Sequence, residues 1–317
     1  MSAAIACLDL GLPEFDDWFR DHVASGYELR FLAADPDPSA LSDVEYVIVL
    51  EAPVTRTLIE AAPRLRLIQL PQTGFDNIDV EAAARAGVPV ANTPGLNATS
   101  VAEHTLMLIL AAFRRLIDAD DAVRRATWPQ LDLFRRGIRD LRGTTVGLVG
   151  FGSVGQALAP LLQPFGVELL YHRRTRLPEA EERRLAATWV PLDELLARSD
   201  VLSLHVPLTP ETRNLIGRRE IGLMKPDAII VNAARGGVLD EGAALEAVES
   251  GRLHGLALDV LQTEPPDAAS PLLRRTDVVL TPHVASGSKD VAWRSFQAAL
   301  DNVYRVAAGQ APANRVA

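Results

Sequence analysis

The chain of 317 residues has one cysteine, Cys7. No disulfide framework can form within it, no thiolate cage can hold a metal, and a reducing cytoplasm is the expected compartment. No metal site is expected. Cys7 itself lies in the apolar stretch "AIACLDL" and reads as a small core residue. An excess of basic residues is also missing: the formal net charge is -9 and the pI is about 5.2. A nucleic-acid binder needs a basic face to displace counterions from phosphates, so a small metabolite is expected as partner instead. No apolar run approaches the roughly 18 residues needed to span a bilayer, and the first residues lack the basic region of a secretory leader. Neither a membrane nor export is indicated. Short-period repeats and low-complexity tracts are absent as well.

What is present is enough apolar material for a sizeable core. Hydrophobic side chains make up 48% of the chain and the mean hydropathy is +0.09, which suits a soluble protein long enough for two domains. Strand-like runs alternate with helical patterns, as in βαβ units that build a parallel sheet. A first series reads "IACLDL", "YELRFL", "EYVIVL", "RLIQL" and "VPVAN", with helices such as "PEFDDWFRDHVA" between. A second reads "TTVGLVG", "VELLYH", "ATWV", "DVLSLHV", "AIIVNAA", "LHGLALDV" and "DVVLTP". The fold class is therefore α/β, with two doubly wound parallel-sheet domains.

Between the series, "TSVAEHTLMLILAAFRRL" is apolar on every face, as in a helix buried between layers, and Ser100 with Glu103 offers a capping box at its start. After the last strand, "VAWRSFQAALDNVYRVAAG" is a long amphipathic helix with no strand to follow, and its expected berth is back against the first domain. The first domain is then discontinuous, residues 1–99 plus 284–317, and encloses a second at 100–283. The stretch "DADDAVRRATWPQLDLFRRGIRDL" fits neither sheet and carries Trp128, Leu131, Leu133 and Phe134 among charges. It reads as a dimerisation arm or as a surface excursion, and a homodimer is expected.

"LVGFGSVGQALA" places Gly150, Gly152 and Gly155 directly after a strand and before a helix. The first glycine permits a tight turn, the second lets backbone approach a pyrophosphate and the third packs helix on strand, while free N–H groups at the helix start hold phosphates. Ser153 and Val154 belong to the same turn. An acid about 20 residues on would read the ribose 2′-hydroxyl of NAD. The next strand instead ends in "YHRRTR", giving His172, Arg173, Arg174 and Arg176. Arginines pair with a 2′-phosphate that an acid would repel, so NADP(H) is the preferred cofactor, with NAD(H) possible through the sugar hydroxyls alone.

Arg235 in "NAARGGVLDE", Glu264 in "LDVLQTEPP" and His283 in "TPHVASG" all stand where strand patterns end. Loops at the carboxyl ends of parallel strands surround the ligand crevice, so the three can converge. In this order, and together with "GFDNIDV", "GVPVANTPGLNATSVAEHTLMLIL", "HVPLTPETRNLIG" and "MKPDAIIVNAARGGVLDE", they resemble the D-isomer-specific 2-hydroxyacid dehydrogenase family over essentially the whole chain. The resemblance implies a flavodoxin-like substrate domain and a Rossmann coenzyme domain with a cleft between them. It implies reversible reduction of a 2-oxo acid to the D-2-hydroxy acid. Arg235 would bind the carboxylate and polarise the carbonyl, His283 would be the acid and base, and Glu264 would orient it and balance its charge. It further implies substrate contacts at Thr73 and Gly74, a nicotinamide contact at Asp259, and cofactor contacts at Pro207, Thr212 and Ala233. Thr99 could line the nicotinamide pocket or serve the start of its helix.

Formate dehydrogenases of the family place an amide where Glu264 stands, and phosphite dehydrogenases place a lysine where Thr73 stands. Glyoxylate or hydroxypyruvate reductases and reductases of bulkier 2-oxo acids are left. Two alternatives stay open: a nucleotide-sensing protein resembling the family's corepressors, and oxidation of a small oxyanion such as phosphite.

Overall fold

The computed structural model describes residues 2–316; Met1 and Ala317, the outermost residues of the discontinuous domain, lie outside them. The chain divides into two compact units, Met1–Asn97 with Ser288–Ala317, and Ala98–Gly287. In the first, strands β1 (Ala3–Leu8), β2 (Tyr27–Leu32), β3 (Val44–Val49), β4 (Leu67–Gln69) and β5 (Val90–Ala91) alternate with helices α1 (Pro13–His22), α2 (Arg56–Glu60) and α3 (Val80–Arg85). All strands are parallel, in the order β2-β1-β3-β4-β5. Helix α1 starts where Pro13 fixes φ, carries Glu14 and Asp16 in its first turn and Arg20 and His22 in its last, and buries Phe19. Each charge opposes the partial charge of the helix end it occupies.

The second unit opens with α4 (Ala98–Phe113), α5 (Leu116–Arg124) and α6 (Gln130–Arg135). Strands and helices then alternate: β6 (Thr145–Val149), α7 (Ser153–Leu162), β7 (Glu168–His172), α8 (Glu179–Leu185), β8 (Ala187–Trp189), α9 (Leu192–Arg198) and β9 (Val201–Leu204). There follow α10 (Arg218–Leu223), β10 (Ala228–Asn232), α11 (Glu241–Glu249), β11 (Leu253–Leu258) and β12 (Val278–Leu280). The seven strands are parallel, in the order β12-β11-β10-β9-β6-β7-β8. The order reverses between β6 and β9, which is the switch point where such sheets take a ligand. Both sheets are doubly wound, as the alternation of the sequence predicts.

The last helix, α12 (Lys289–Ala307), returns to the first unit. Its Phe296, Leu300, Val303 and Val306 pack with Ile5, Cys7, Phe19 and Tyr46 in one core cluster, and each such buried side chain contributes about 2 kcal/mol. Cys7 is buried there and its thiol is pushed up by burial, in keeping with a core role.

Three details differ from the sequence reading. Helix α4 begins at Ala98, so Ser100 lies within the first turn and not ahead of it, and Thr99 is helical too. The helix is also not buried on every face: Met107 is 45% exposed, while Ala102, Leu108, Ile109 and Phe113 enter the core against β6, β10 and β11. Residues 284–287 stay with the second unit, because Val284 and Ala285 donate backbone hydrogen bonds to Asp259 of that unit, each at 2.9 Å.

Candidate active site

Arg235, Glu264 and His283 follow β10, β11 and β12, three neighbouring strands at one edge of the second sheet. Arg235 is extended, at φ -147°, and its Nη1 donates to the Ala234 carbonyl at 2.7 Å. Asn232 holds the turn by donating to the Arg235 carbonyl at 3.0 Å and accepting the Ala234 N–H at 3.1 Å. Gly236 follows for a steric reason, since a Cβ there would meet the Leu261 carbonyl oxygen at 1.9 Å. Lacking one, the Arg235 loop lets the Leu261–Glu264 loop lie directly against it.

Glu264 is fixed at both oxygens. Oε1 accepts the Leu261 N–H at 2.8 Å and Oε2 meets His283 Nδ1 at 2.8 Å. The imidazole and the carboxyl are each about two-fifths exposed, at 40% and 38%, so the pair is open to a ligand. Glu241, at the start of α11, holds the same loop through the Gln262 N–H. Burial, and then the nearby Glu264 charge, raise the Glu241 carboxyl above its ordinary value, against that hydrogen bond.

His283 adopts the left-handed region at φ 53°, which costs a residue with a Cβ about 1 kcal/mol or more. The cost is borne because Asp259 holds the loop on both sides. The Asp259 carbonyl accepts the His283 N–H at 2.8 Å. Its carboxylate accepts the Thr281 hydroxyl at 2.6 Å and the N–H groups of Val284 and Ala285 at 2.9 Å each. Nε2 of His104, on α4, lies 3.0 Å from the Thr281 hydroxyl. His104 Nε2 also lies 3.4 Å from Asp259 Oδ1, so three donors and an imidazole surround this buried carboxylate.

The glycine turn stands at the switch point. Gly150 has φ 93°, and a Cβ on it would meet the His205 carbonyl oxygen at 2.3 Å. A Cβ on Gly152 would meet nothing within 4 Å. The protein's own packing requires the first glycine but not the second, whose missing side chain leaves a cradle open to a ligand. Gly152 caps α7 without a side-chain bond, and Ser153 and Val154 open that helix, so its first N–H groups suit a pyrophosphate. These residues fit a dinucleotide.

The "YHRRTR" cluster is more divided. His172 Nδ1 lies 3.0 Å from the Val190 carbonyl, and Arg173 Nη1 donates to the Phe151 carbonyl at 3.3 Å. Arg174 is exposed and near enough to Glu211 to help lower that carboxyl, after the larger effect of the Thr209 hydroxyl. Arg176 is drawn away into a bidentate pair with Glu182, at 2.9 and 2.7 Å. That pair, with the Tyr171 hydroxyl, takes Glu182 down to about 2, and burial together with Glu182 pushes Tyr171 up to about 12. Thr212 turns its hydroxyl onto the Pro207 carbonyl at 2.6 Å and receives the Thr209 N–H at 2.7 Å. Ala233 follows the end of β10.

In the first unit, Thr73 and Gly74 lie in the loop after β4. Asn92 Nδ2 donates to the Thr73 carbonyl at 2.7 Å, and the Thr73 hydroxyl donates to Asn97 at 3.3 Å. A separate cavity of about 310 Å³ at the end of β1, lined by Cys7, Asp9, Asp16 and Phe31 among others, includes none of the expected site residues. Asn92, His104 and Thr281 escaped the sequence reading. Each had a signal: a polar residue ending or interrupting an otherwise apolar run.

Among the described residues no group of histidine, cysteine and acidic side chains could hold a metal, and no helix is long and apolar enough to cross a membrane. Residues 106–285 match the family model described as D-isomer specific 2-hydroxyacid dehydrogenase, NAD binding domain. The chain is 43% identical over 264 residues to a glyoxylate reductase of Aeropyrum pernix, covering 82% of this chain and 78% of that protein. Among solved structures it is similar to a glyoxylate reductase from Paecilomyes thermophila, with TM-score 0.85, 28% identity and coverage of 100% and 99% of the two chains. It is also similar to an acyclic imino acid reductase in complex with NADPH and D-Arg, with TM-score 0.84, 26% identity and coverage of 99% and 100%.

Proposed function

Because the chain belongs to the D-isomer-specific 2-hydroxyacid dehydrogenase family, and is thus an NAD(P)-dependent oxidoreductase, we propose that it reduces glyoxylate or a near relative among 2-oxo acids, with NADPH preferred. The observation that carries the reading is the 2.8 Å contact of His283 Nδ1 with Glu264 Oε2, on the loop that neighbours Arg235 across Gly236. With Nδ1 engaged by a carboxylate, Nε2 is the nitrogen that gives up a proton in reduction and takes one back in oxidation. Arg235 offers a planar, permanently charged fork to the substrate carboxylate and to the carbonyl oxygen where charge develops. Asp259 keeps His283 in its left-handed turn and would stand beside the nicotinamide.

Gly150, Gly152, Ser153, Val154 and Gly155 would hold the pyrophosphate, and Ala233, Pro207 and Thr212 would line the rest of the nucleotide site. The bound dihydronicotinamide supplies a hydride. Arg173 and Arg174 support a 2′-phosphate, and the relative that binds NADPH supports it further. Thr73 and Gly74 would meet the substrate carboxylate. A second copy is the proposed partner: Trp128, Leu131 and Phe134, on and beside α6, are 81%, 70% and 76% exposed, and such a cluster commonly marks an interface. A monomeric mass by light scattering would remove that assignment.

The test is a panel of 2-oxo acids assayed with NADPH and with NADH. D-2-hydroxy acid formed from a small 2-oxo acid, faster with NADPH, is the expected result. Nucleotide binding with no turnover would instead favour a redox-sensing protein, and reduction of NADP by phosphite would favour the oxyanion reading.

A further inference from the structure

The loop Gln72–Gly74 turns three successive carbonyls into the first unit. The Gln72 carbonyl accepts the Thr93 N–H at 3.0 Å, the Thr73 carbonyl accepts Asn92 Nδ2 at 2.7 Å, and the Gly74 carbonyl takes a longer bond of 3.4 Å from Gln72 Nε2. A peptide group is planar and trans, so its N–H points opposite to its carbonyl. Anchoring these oxygens inward aims the N–H groups of Thr73, Gly74 and Phe75 the other way. Among the described residues none of the three has an acceptor. Successive outward N–H groups of this kind make a concavity for an anion.

The anchor is itself anchored. Asn92 is 5% exposed, and its N–H donates to the Asn314 carbonyl at 3.3 Å. The segment around it runs antiparallel to β5, through the Ala91–Arg315 bridge and the Val316 N–H on the Val90 carbonyl at 2.8 Å. Asn302 of α12 ties this segment down, accepting the Ala313 N–H at 2.8 Å and donating to the Ala313 carbonyl at 3.0 Å and to Gln69 at 2.8 Å. Gln69, Asn92, Thr93 and Asn302 are all buried. Burying amides costs free energy unless they are hydrogen-bonded: Gln69 binds the Leu70 carbonyl and Asn302, Asn302 binds Ala313, and Asn92 alone of these side chains reaches the Thr73 carbonyl.

We propose that Asn92 is a positioning residue for the substrate carboxylate, acting through the Thr73–Gly74 peptide, and that residues 313–316 hold it in place. This rests on the reading of Thr73 and Gly74 as substrate contacts. Asn92→Asp keeps the shape and replaces the donor with a charge that repels the Thr73 carbonyl. The peptide then turns over and spends the Gly74 N–H on the new carboxylate. Asn92→Ala removes the donor without that repulsion.

The test uses oxamate, an unreactive analogue of glyoxylate, titrated by calorimetry into the NADPH-loaded protein, alongside steady-state kinetics. Asn92→Asp should weaken oxamate and raise KM for the 2-oxo acid by roughly ten- to a hundredfold, Asn92→Ala by less, and deletion of residues 313–317 in the same direction. The kcat should fall less than KM rises, and NADPH affinity should stay within about twofold. Oxamate affinity unchanged in folded Asn92→Asp overturns the proposal. So does an equal loss of NADPH and oxamate affinity, or losses in the two variants that follow their melting temperatures instead of the order Asp before Ala. Oxamate binding needs no turnover, so a wild-type protein that reduces no 2-oxo acid would sink the proposed reaction and still leave this result readable.

Discussion

The carboxyl edges of the two sheets are built from different chemistry. In the first unit the loops are held by neutral amides, Gln69, Gln72, Asn77, Asn92 and Asn302, whose side chains bind backbone carbonyls or one another. In the second they are ionisable groups: Arg235, Asp259, Glu264 and His283. Amides do not titrate, so they fix a scaffold of outward N–H groups whatever the pH. Ionisable groups can carry a proton or a formal charge, but each must be matched where it is buried. The contrast separates a scaffold that holds its shape at any pH from side chains that can exchange a proton or bind a charge.

The largest effect should come from breaking the charged edge. Arg235→Ala removes the permanently charged fork and leaves the glycine turn untouched. A fall in kcat/KM of about a thousandfold or more is expected, with NADPH binding retained by fluorescence titration. Turnover within tenfold of wild type would take Arg235 out of the chemistry and leave the two edges without the proposed contrast.

A second test asks whether acid sensitivity belongs to the second unit. Burial alone lowers His205 to about 4, and burial with the Arg115 and Arg139 charges lowers His254 to about 4. The ordinary value is about 6.5. A histidine whose folded value is depressed stabilises the fold above pH 6.5 and loses that contribution as pH falls toward 4, since the unfolded chain takes up the proton first. For His205, half-buried, the loss is on the order of 3 kcal/mol or less by pH 4. Glu241, raised by burial, works in the opposite sense. The sole histidine of the first unit, His22, is exposed. Scanning calorimetry should show Tm falling from pH 6.5 to 4, and His205→Phe should start lower and fall less steeply. An unaltered slope in that variant would place the acid sensitivity elsewhere.

Much of the charged edge was legible because a charge after an apolar strand is conspicuous. Arg235 and His283 stand just past such runs, Glu264 stands in the loop beyond β11, and the parallel alternation brings the strand ends to one edge. The amide edge was not, because Asn92 at the end of "VPVAN" looks like an ordinary strand terminus. Its role depends on residues 313–316 lying beside β5, which no local pattern encodes. Ser100 fits a capping pattern, yet α4 starts two residues earlier. The ion pair of Arg176 with Glu182 likewise joins a loop to a buried acid of the next helix, whereas sequence alone groups Arg176 with the other arginines of "YHRRTR".

That ion pair gives the smallest effect and the finest test, within the charged edge itself. Three arginines follow β7, but their surroundings separate them. Arg176 neutralises Glu182, 7% exposed beneath it, so Arg176→Ala should lower Tm by leaving that carboxylate unpaired and should not alter cofactor choice. Arg174 is exposed beside the Thr209–Thr212 loop and is free to meet a 2′-phosphate. Arg174→Ala, alone or with Arg173→Ala, should raise KM for NADPH by about tenfold while KM for NADH moves little, the scale of one charge-assisted hydrogen bond. The ratio of the two constants isolates the phosphate from everything else the nucleotide touches. If Arg176→Ala shifts that ratio as far as Arg174→Ala does, the Glu182 pair must open when nucleotide binds, and all three arginines serve the cofactor.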